Sequence, residues 1–99
     1  VHVGLNVSSD AFYAETPEVI ERLMKHKITN IEMESAAIFT IAHLRGLVAA
    51  LVCAVSYNYT APDDIDDAGE NVALATGWDN AIDVALEGIR RYEASGRRP

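Results

Sequence analysis

Basic residues and cysteine are both scarce in this sequence. The 99 residues include 8 Lys and Arg against 15 Asp and Glu, which gives a formal net charge of −7. Nucleic acids and anionic membrane surfaces attract basic proteins, so this charge argues against both as partners. Cys53 is the single cysteine, which excludes a disulfide framework and a multi-cysteine zinc site. A secretory signal and a membrane-spanning apolar run are also lacking, so the cytoplasm is the expected location.

Several motifs that mark common active sites are missing as well. The sequence has no glycine-rich phosphate loop, no G-x-S-x-G elbow and no Cys-x-x-Cys pair. His2, His26 and His43 share no metal-ligand spacing, so no metal site is expected. Cys53 lies in an apolar run over residues 47–55, where a lone cysteine is interpreted as a small buried hydrophobe rather than a nucleophile.

Strand and helix patterns alternate along the chain and predict an α/β fold. The near-continuous apolar run is typical of a strand buried on both faces of a parallel sheet. Ligands in such sheets bind beyond the carboxyl ends of the strands, which makes residues 8–13, 32–34 and 56–60 the candidate loops. In chain order, strands are predicted at 1–7, 28–31 and 47–55, and helices at 17–26, 34–45 and 71–95.

Apolar residues at helical spacing predict the buried helix faces. The first helix would bury Val19, Ile20 and Leu23. Residues 58–69 are polar and acidic, and they are predicted to form a solvated loop because a calcium loop would need its glycine and distal Glu elsewhere. For the second and third helices, the residues predicted for burial are Ala36, Ala37, Phe39, Ile41 and Leu44, then Val72, Leu74, Ala75, Trp78, Ile82, Ala85, Leu86 and Ile89.

Two carboxylates flank a methionine where the second strand gives way to a helix, in the order Glu32, Met33, Glu34. A carboxylate in a first helical turn is favoured by the helix dipole, and it can accept hydrogen bonds from two neighbouring hydroxyls, as a ribose diol offers. Met33 offers a flexible apolar contact to a sugar face. Composition alone favours the simpler alternative, that both acids only promote the helix start.

The loop after the first strand carries further candidates with two open interpretations each. Asp10 is either a catalytic carboxylate or the cap of its own turn. Phe12 either stacks on a base or packs in the core, and core packing is the commoner role for a single aromatic residue.

Together these segments resemble the uridine phosphorylase branch of the nucleoside phosphorylase superfamily. The resemblance covers residues 1–60 and continues into the final helix. Its specific part is Glu-Met-Glu opening a helix at residues 32–34, downstream of Ser-Ser-Asp-x-Phe-Tyr at residues 8–13. Further matching stretches are Val3-Gly4, residues 45–47 and residues 52–55. With this resemblance, a ribose-binding role becomes the preferred interpretation of Glu34.

The resemblance implies a three-layer αβα fold, of which residues 1–99 would be the C-terminal part: half of a mixed sheet with flanking helices, without the N-terminal half. It implies phosphorolysis of a ribonucleoside to free base and ribose 1-phosphate, with uridine as the expected substrate. Phosphate would be the co-substrate, no cofactor is implied, and the complete protein would be a homo-oligomer built from dimers, commonly a hexamer. Because the family's phosphate site lies in the N-terminal half, this chain alone is expected to be inactive, and no residue is assigned as catalytic.

The resemblance also assigns roles to single residues and leaves the base open. Purine-acting members carry an acid at the place occupied here by residues 56–58, and uridine-specific members carry a Gln and an Arg at the place of residues 14–18; this chain has neither. The flanking sequence favours a pyrimidine, with a purine nucleoside phosphorylase or nucleosidase, or a non-catalytic α/β relic that at most dimerises, as alternatives. The assigned roles are the ribose hydroxyls for Glu34, the sugar face for Met33, support for Glu32, and the base for Phe12, Ser56 and Tyr57.

Overall fold

The computed structural model of the protein describes residues 1–61 and 67–99, and the side chains of its last helix from residue 73 onward. Residues 62–66 of the predicted polar loop therefore lie outside the described residues. The chain forms two compact units, Val1–Ala49 and Ala50–Pro99. Its elements confirm the α/β class: β1 (Leu5–Ser8), a short 3₁₀ helix (Phe12–Ala14), α1 (Pro17–Lys25), β2 (Ile28–Glu32), α2 (Ser35–Leu44) and α3 (Asp67–Ala94).

The first unit is built on a parallel pair of strands, β1 and β2. Leu5 lies opposite Ile28, but the next residue, Asn6, lies opposite Asn30, so Thr29 is an extra residue in β2. Such an irregularity re-aims the side chains that follow it. The strand predicted to begin at residue 1 begins at Leu5.

Beyond this irregularity the two strands share a polar face. Asn6 pairs with Asn30 and Ser8 pairs with Glu32. Because strand side chains alternate, these four lie on one face of the sheet, and the apolar pair Val7 and Ile31 lies on the other. The polar face ends where α2 begins.

Helix α1 follows the local signals of its sequence. The hydroxyl of Thr16 accepts the backbone N–H of Val19 at 3.4 Å, and Pro17 occupies the first turn. The helix ends one residue earlier than predicted, and Lys27 takes a left-handed φ of 57° before β2 starts. As predicted, the half-buried side chains of α1 are Val19, Ile20 and Leu23.

Helix α2 differs from the prediction in what it buries. Only Ser35 and Ala42 are buried on it. The helix is apolar around most of its circumference, but it bonds to the sheet at its first turn, through Ser35 and Ala36. Gly46 ends the helix at φ 64°, the left-handed conformation that glycine adopts without strain. The five residues predicted for burial, Ala36, Ala37, Phe39, Ile41 and Leu44, are all exposed.

The apolar run at residues 47–55 is not a strand, so this prediction is wrong. The described residues contain only the β1–β2 sheet, and a strand needs a partner for its backbone N–H and C=O groups. Leu47 and Val55 are 62% and 72% exposed. Cys53 is exposed too, against the expectation of a buried hydrophobe.

The second unit contains α3, whose half-buried side agrees with the predicted one only at Leu74. A Cβ added at Gly77 would lie 3.3 Å from the Cβ of Ala54, so the chain preceding α3 packs closely against this glycine. The missing side chain allows that approach. Leu74 is half-buried as predicted, and so are Ala81 and Val84, which were not predicted. The side chain of Val72 lies outside those described, and the remaining predicted residues are exposed: Ala75, Trp78, Ile82, Ala85, Leu86 and Ile89.

Candidate functional site

The candidate site lies at the carboxyl ends of β1 and β2. Ser8 pairs with Glu32 at the last position of both strands, and the next backbone N–H, that of Ser9, donates to the carbonyl of Glu32 at 2.8 Å. The loop with Phe12 and the segment with Met33 and Glu34 therefore leave the same edge of the sheet. This is where parallel sheets bind ligands.

The carboxylate of Glu32 is fully engaged by the protein. Its Oε1 accepts the Ser35 hydroxyl at 2.5 Å and the Asn6 side-chain amide at 2.8 Å. Its Oε2 accepts the backbone N–H groups of Ser35 at 2.6 Å and of Glu34 at 2.8 Å. The carboxylate thus satisfies two N–H groups at the start of α2, where the helix dipole favours an anion.

These bonds keep Glu32 ionised. The Ser35 hydroxyl has the largest effect, and the Asn6 amide and the backbone N–H groups of Glu34 and Ser35 add to it. Partial burial by itself raises the pKa of Glu32, but these hydrogen bonds outweigh it and lower the pKa from 4.5 to about 2.

Glu34 has a different environment. It is the N-cap residue of α2 and not a first-turn residue as predicted, and its side chain caps no helix N–H. Its Oε2 accepts the backbone N–H of Met33 at 3.0 Å, and both side chains are exposed. A carboxylate has about four acceptor positions, so Glu34 keeps capacity for a ligand that Glu32 has lost.

Asn6 connects this turn to the sheet. The side-chain amide of Asn30 donates to Asn6 Oδ1 at 2.7 Å, which directs the NH₂ group of Asn6 toward Glu32 and toward the Ser35 hydroxyl at 3.1 Å. Both Asn6 and Ser35 belong to the site, and the sequence patterns did not single them out. The signal was the alternation that puts polar residues on one face of β1 and β2.

The structure of the loop after β1 bears on the interpretations left open for Phe12 and Asp10. Phe12 is 59% exposed and packs edge-on against Tyr13, with ring centroids 5.4 Å apart, so it is not a core residue. The Ser9 hydroxyl, rather than Asp10, accepts the backbone N–H of Ala11 in this turn, at 3.3 Å. Asp10 is exposed.

Four of the six predicted residues, Glu32, Met33, Glu34 and Phe12, belong to the first unit, and Ser56 and Tyr57 belong to the second. Tyr57 packs edge-on against Tyr59, with ring centroids 5.0 Å apart. In α3, Arg90 and Arg91 both pair with Glu87, at 2.7 and 2.6 Å.

The described residues contain no cluster of three or more His, Cys, Asp or Glu that could hold a metal ion. Among the helices described, none is long and apolar enough to cross a membrane.

The sequence model of the phosphorylase superfamily matches residues 1–82. The chain belongs to this superfamily. The matched region contains β1, α1, β2 and α2, and with them the complete hydrogen-bond network of Glu32. The resemblance inferred from Glu-Met-Glu and Ser-Ser-Asp-x-Phe-Tyr is thereby confirmed at the level of the superfamily.

Three relatives illustrate the match to phosphorylase superfamily members. The chain is 29% identical to a uridine phosphorylase of Thermococcus kodakarensis over 110 aligned positions, covering 98% of this chain and 39% of the relative. It is 41% identical to a guanosine phosphorylase of Halorubrum lacusprofundi over 61 positions, 62% of this chain and 25% of the relative. It is 32% identical to a DeoD-type purine nucleoside phosphorylase of Yersinia enterocolitica over 92 positions, which cover 90% of this chain and 35% of the relative.

The chain thus spans two-fifths or less of the length of these relatives. No solved structure gives a significant match.

Proposed function

We propose that this chain supplies the ribose-binding part of a nucleoside phosphorylase. The Glu34 carboxylate accepts hydrogen bonds from two adjacent ribose hydroxyls, and the Met33 side chain packs on the sugar. The observation that carries the proposal is the contrast between the two acids: four donors occupy Glu32, whereas Glu34 is exposed and accepts one. Glu32 supports the site from within the protein.

The reaction is phosphorolysis of a nucleoside. The bond between C1′ of the ribose and the base nitrogen breaks, the base leaves with the electron pair, and a phosphate oxygen forms a new bond to C1′ from the opposite face. Positive charge grows on the ribose as the base departs. A carboxylate fixed at the diol orients the sugar for attack, so its contribution is mainly positioning and charge stabilisation. Phosphate is the co-substrate, and no other cofactor is proposed.

Uridine is the proposed nucleoside, with a purine nucleoside as the second candidate. A relative named uridine phosphorylase matches 98% of this chain, which supports the first. Relatives named guanosine and purine nucleoside phosphorylase support the second. Phe12, which is exposed at the sheet edge, is proposed to contact the base, together with Ser56 and Tyr57.

We further propose that the complete phosphorylase has a three-layer αβα fold and assembles as a homo-oligomer of dimers. Exposed apolar side chains on α2 and over residues 47–55 support this arrangement, since further layers or a second copy would cover them.

Binding and turnover test the function separately. Equilibrium binding of uridine and 2′-deoxyuridine measures recognition of the diol; a bond to a charged group makes uridine bind about tenfold more tightly. Glu34→Ala is expected to abolish this preference. Glu21→Ala is the matched control, because Glu21 is an exposed acid on α1 that pairs with Lys25 at 3.5 Å.

Turnover is measured by chromatography of free base, with uridine, thymidine, inosine and adenosine, each with and without phosphate. Base release that requires phosphate identifies the substrate and establishes that the chain is active alone. Equal uridine affinity in the wild type and in Glu34→Ala would refute the assignment of Glu34. A folded wild type that binds none of the nucleosides would favour a non-catalytic α/β module.

A further inference from the structure

Two side chains of β1 reach the segment that presents Met33 and Glu34. The Ser8 hydroxyl accepts the backbone N–H of Ala36 at 3.3 Å, and Asn6 is the one that bonds to the Glu32 carboxylate. Of the four bonds that the Glu32 carboxylate accepts, three come from its own turn, from Glu34 and Ser35. The fourth comes from Asn6 in β1, 26 residues away. Asn6 is half-buried in the sheet, while Glu34 is exposed.

The connection from Asn6 to Glu34 runs through bonded atoms at each step. Asn6 fixes Oε1 of Glu32 and also donates to the hydroxyl of Ser35. The other oxygen of Glu32 accepts the backbone N–H of Glu34, so the position of the carboxylate sets the backbone from which the Glu34 side chain extends. The bond from Asn30 holds the Asn6 amide in the orientation that permits this.

We propose that Asn6 is a positioning residue for nucleoside binding: through Glu32 and Ser35 it fixes the conformation of residues 33 and 34, which contact the sugar. The inference rests on the proposed function in so far as it concerns the ligand. Its structural part, the ordering of residues 33 and 34, holds for the free protein. Loss of one bond from a network of this kind affects the segment that the network holds.

Asn6→Ala and Asn6→Asp test this role in the full chain. Alanine removes the amide, and aspartate keeps the volume and the acceptor for Asn30 but loses the donor to Glu32. Thr29→Val is the matched control, because the Thr29 hydroxyl also joins β2 to β1, by a bond to the carbonyl of Leu5 at 3.0 Å. Far-UV circular dichroism selects folded variants.

Two readouts are needed. The first is the ratio of the dissociation constants of 2′-deoxyuridine and uridine, which a change in folded fraction does not alter because both ligands meet the same sample. The second is the ¹⁵N relaxation of the Met33 and Glu34 amides without ligand. We expect a ratio of about ten in the wild type and in Thr29→Val, a ratio near one in folded Asn6 variants, and increased motion at both amides.

Each outcome decides one part of the inference. A folded Asn6 variant that keeps the wild-type ratio overturns the positioning role, whatever its relaxation. Unchanged relaxation at Met33 and Glu34 overturns the ordering of the turn. A wild-type ratio of one refutes the proposed function instead, and the amide relaxation then decides by itself whether Asn6 orders the segment.

Discussion

Acid is expected to loosen the turn around Glu32 in a pH range that its hydrogen bonds define. The carboxyl has a pKa of about 2 in the folded chain against 4.5 ordinarily, with the Ser35 hydroxyl as the largest cause. A carboxylate whose pKa is lower in the folded state stabilises that state fully above the unfolded value. Stability from Glu32 is therefore complete above pH 4.5, declines as the pH falls below it, and is gone near pH 2.

The individual donors give this prediction a magnitude that can be measured. The Ser35 hydroxyl lies 2.5 Å from Oε1 and the Asn6 amide 2.8 Å from it. Ser35→Ala is therefore expected to raise the pKa of Glu32 from about 2 toward 4.5, and Asn6→Ala is expected to raise it less. The assay is a pH titration of the ¹³C-labelled glutamate carboxyl carbons by NMR.

A second acid has to be separated from Glu32 in stability measurements. Glu87 also has a pKa of about 2, because Arg90 and then Arg91 donate to it. Urea denaturation at neutral pH and at about pH 3 measures how much the free energy of unfolding falls in acid. This decrease should be smaller in Glu32→Gln than in the wild type, and Glu87→Gln measures the part of it that Glu87 contributes. A Glu32 carboxyl that titrates near 4.5 in the folded chain, or a Ser35→Ala variant with unchanged pKa, would refute the reasoning.

Two further predictions concern stability. Gly46→Ala forces a side chain onto a backbone at φ 64° and is expected to cost about 1–2 kcal/mol, whereas Gly88→Ala, also with open space around the added Cβ, is expected to stabilise α3 by about 0.5–1 kcal/mol; urea denaturation that gives both changes the same sign would contradict this. Thr16→Ala removes the cap of α1 and is expected to cost about 0.5–1 kcal/mol, and Thr16→Ser, which keeps the hydroxyl, should recover most of the loss in the same assay.

The parts of the fold that the sequence predicted are those that short-range chemistry decides. Thr16 and Pro17 define the start of α1, and Gly46 defines the end of α2, because a cap and a left-handed residue act on their immediate neighbours. The predicted strand at residues 47–55 failed for the opposite reason. Its apolar composition is compatible with a buried strand, but pairing depends on a partner elsewhere in the chain.

The same distinction applies to the site. Glu-Met-Glu could be recognised as a site because its residues are consecutive, but the sequence could not tell which carboxylate the protein itself occupies. Three of the four bonds to Glu32 come from its own turn, and the fourth comes from Asn6, which reaches Glu32 only after β1 and β2 have paired. Burial on α3 was mispredicted at Trp78, which hydropathy favours, because the chain packs closely at Gly77, about 100° away around the helix axis.

The extra residue in β2 determines where this strand is expected to tolerate a change in length. A chain lacking Thr29 would still place Leu5 opposite Ile28 and Asn6 opposite Asn30, in regular alternation. A deletion or insertion between Asn30 and Glu32 would instead move the Glu32 carboxylate to the opposite face of the sheet, away from the Asn6 amide. Within β2, a change of length that keeps this site is therefore expected to be tolerated only just before Asn30.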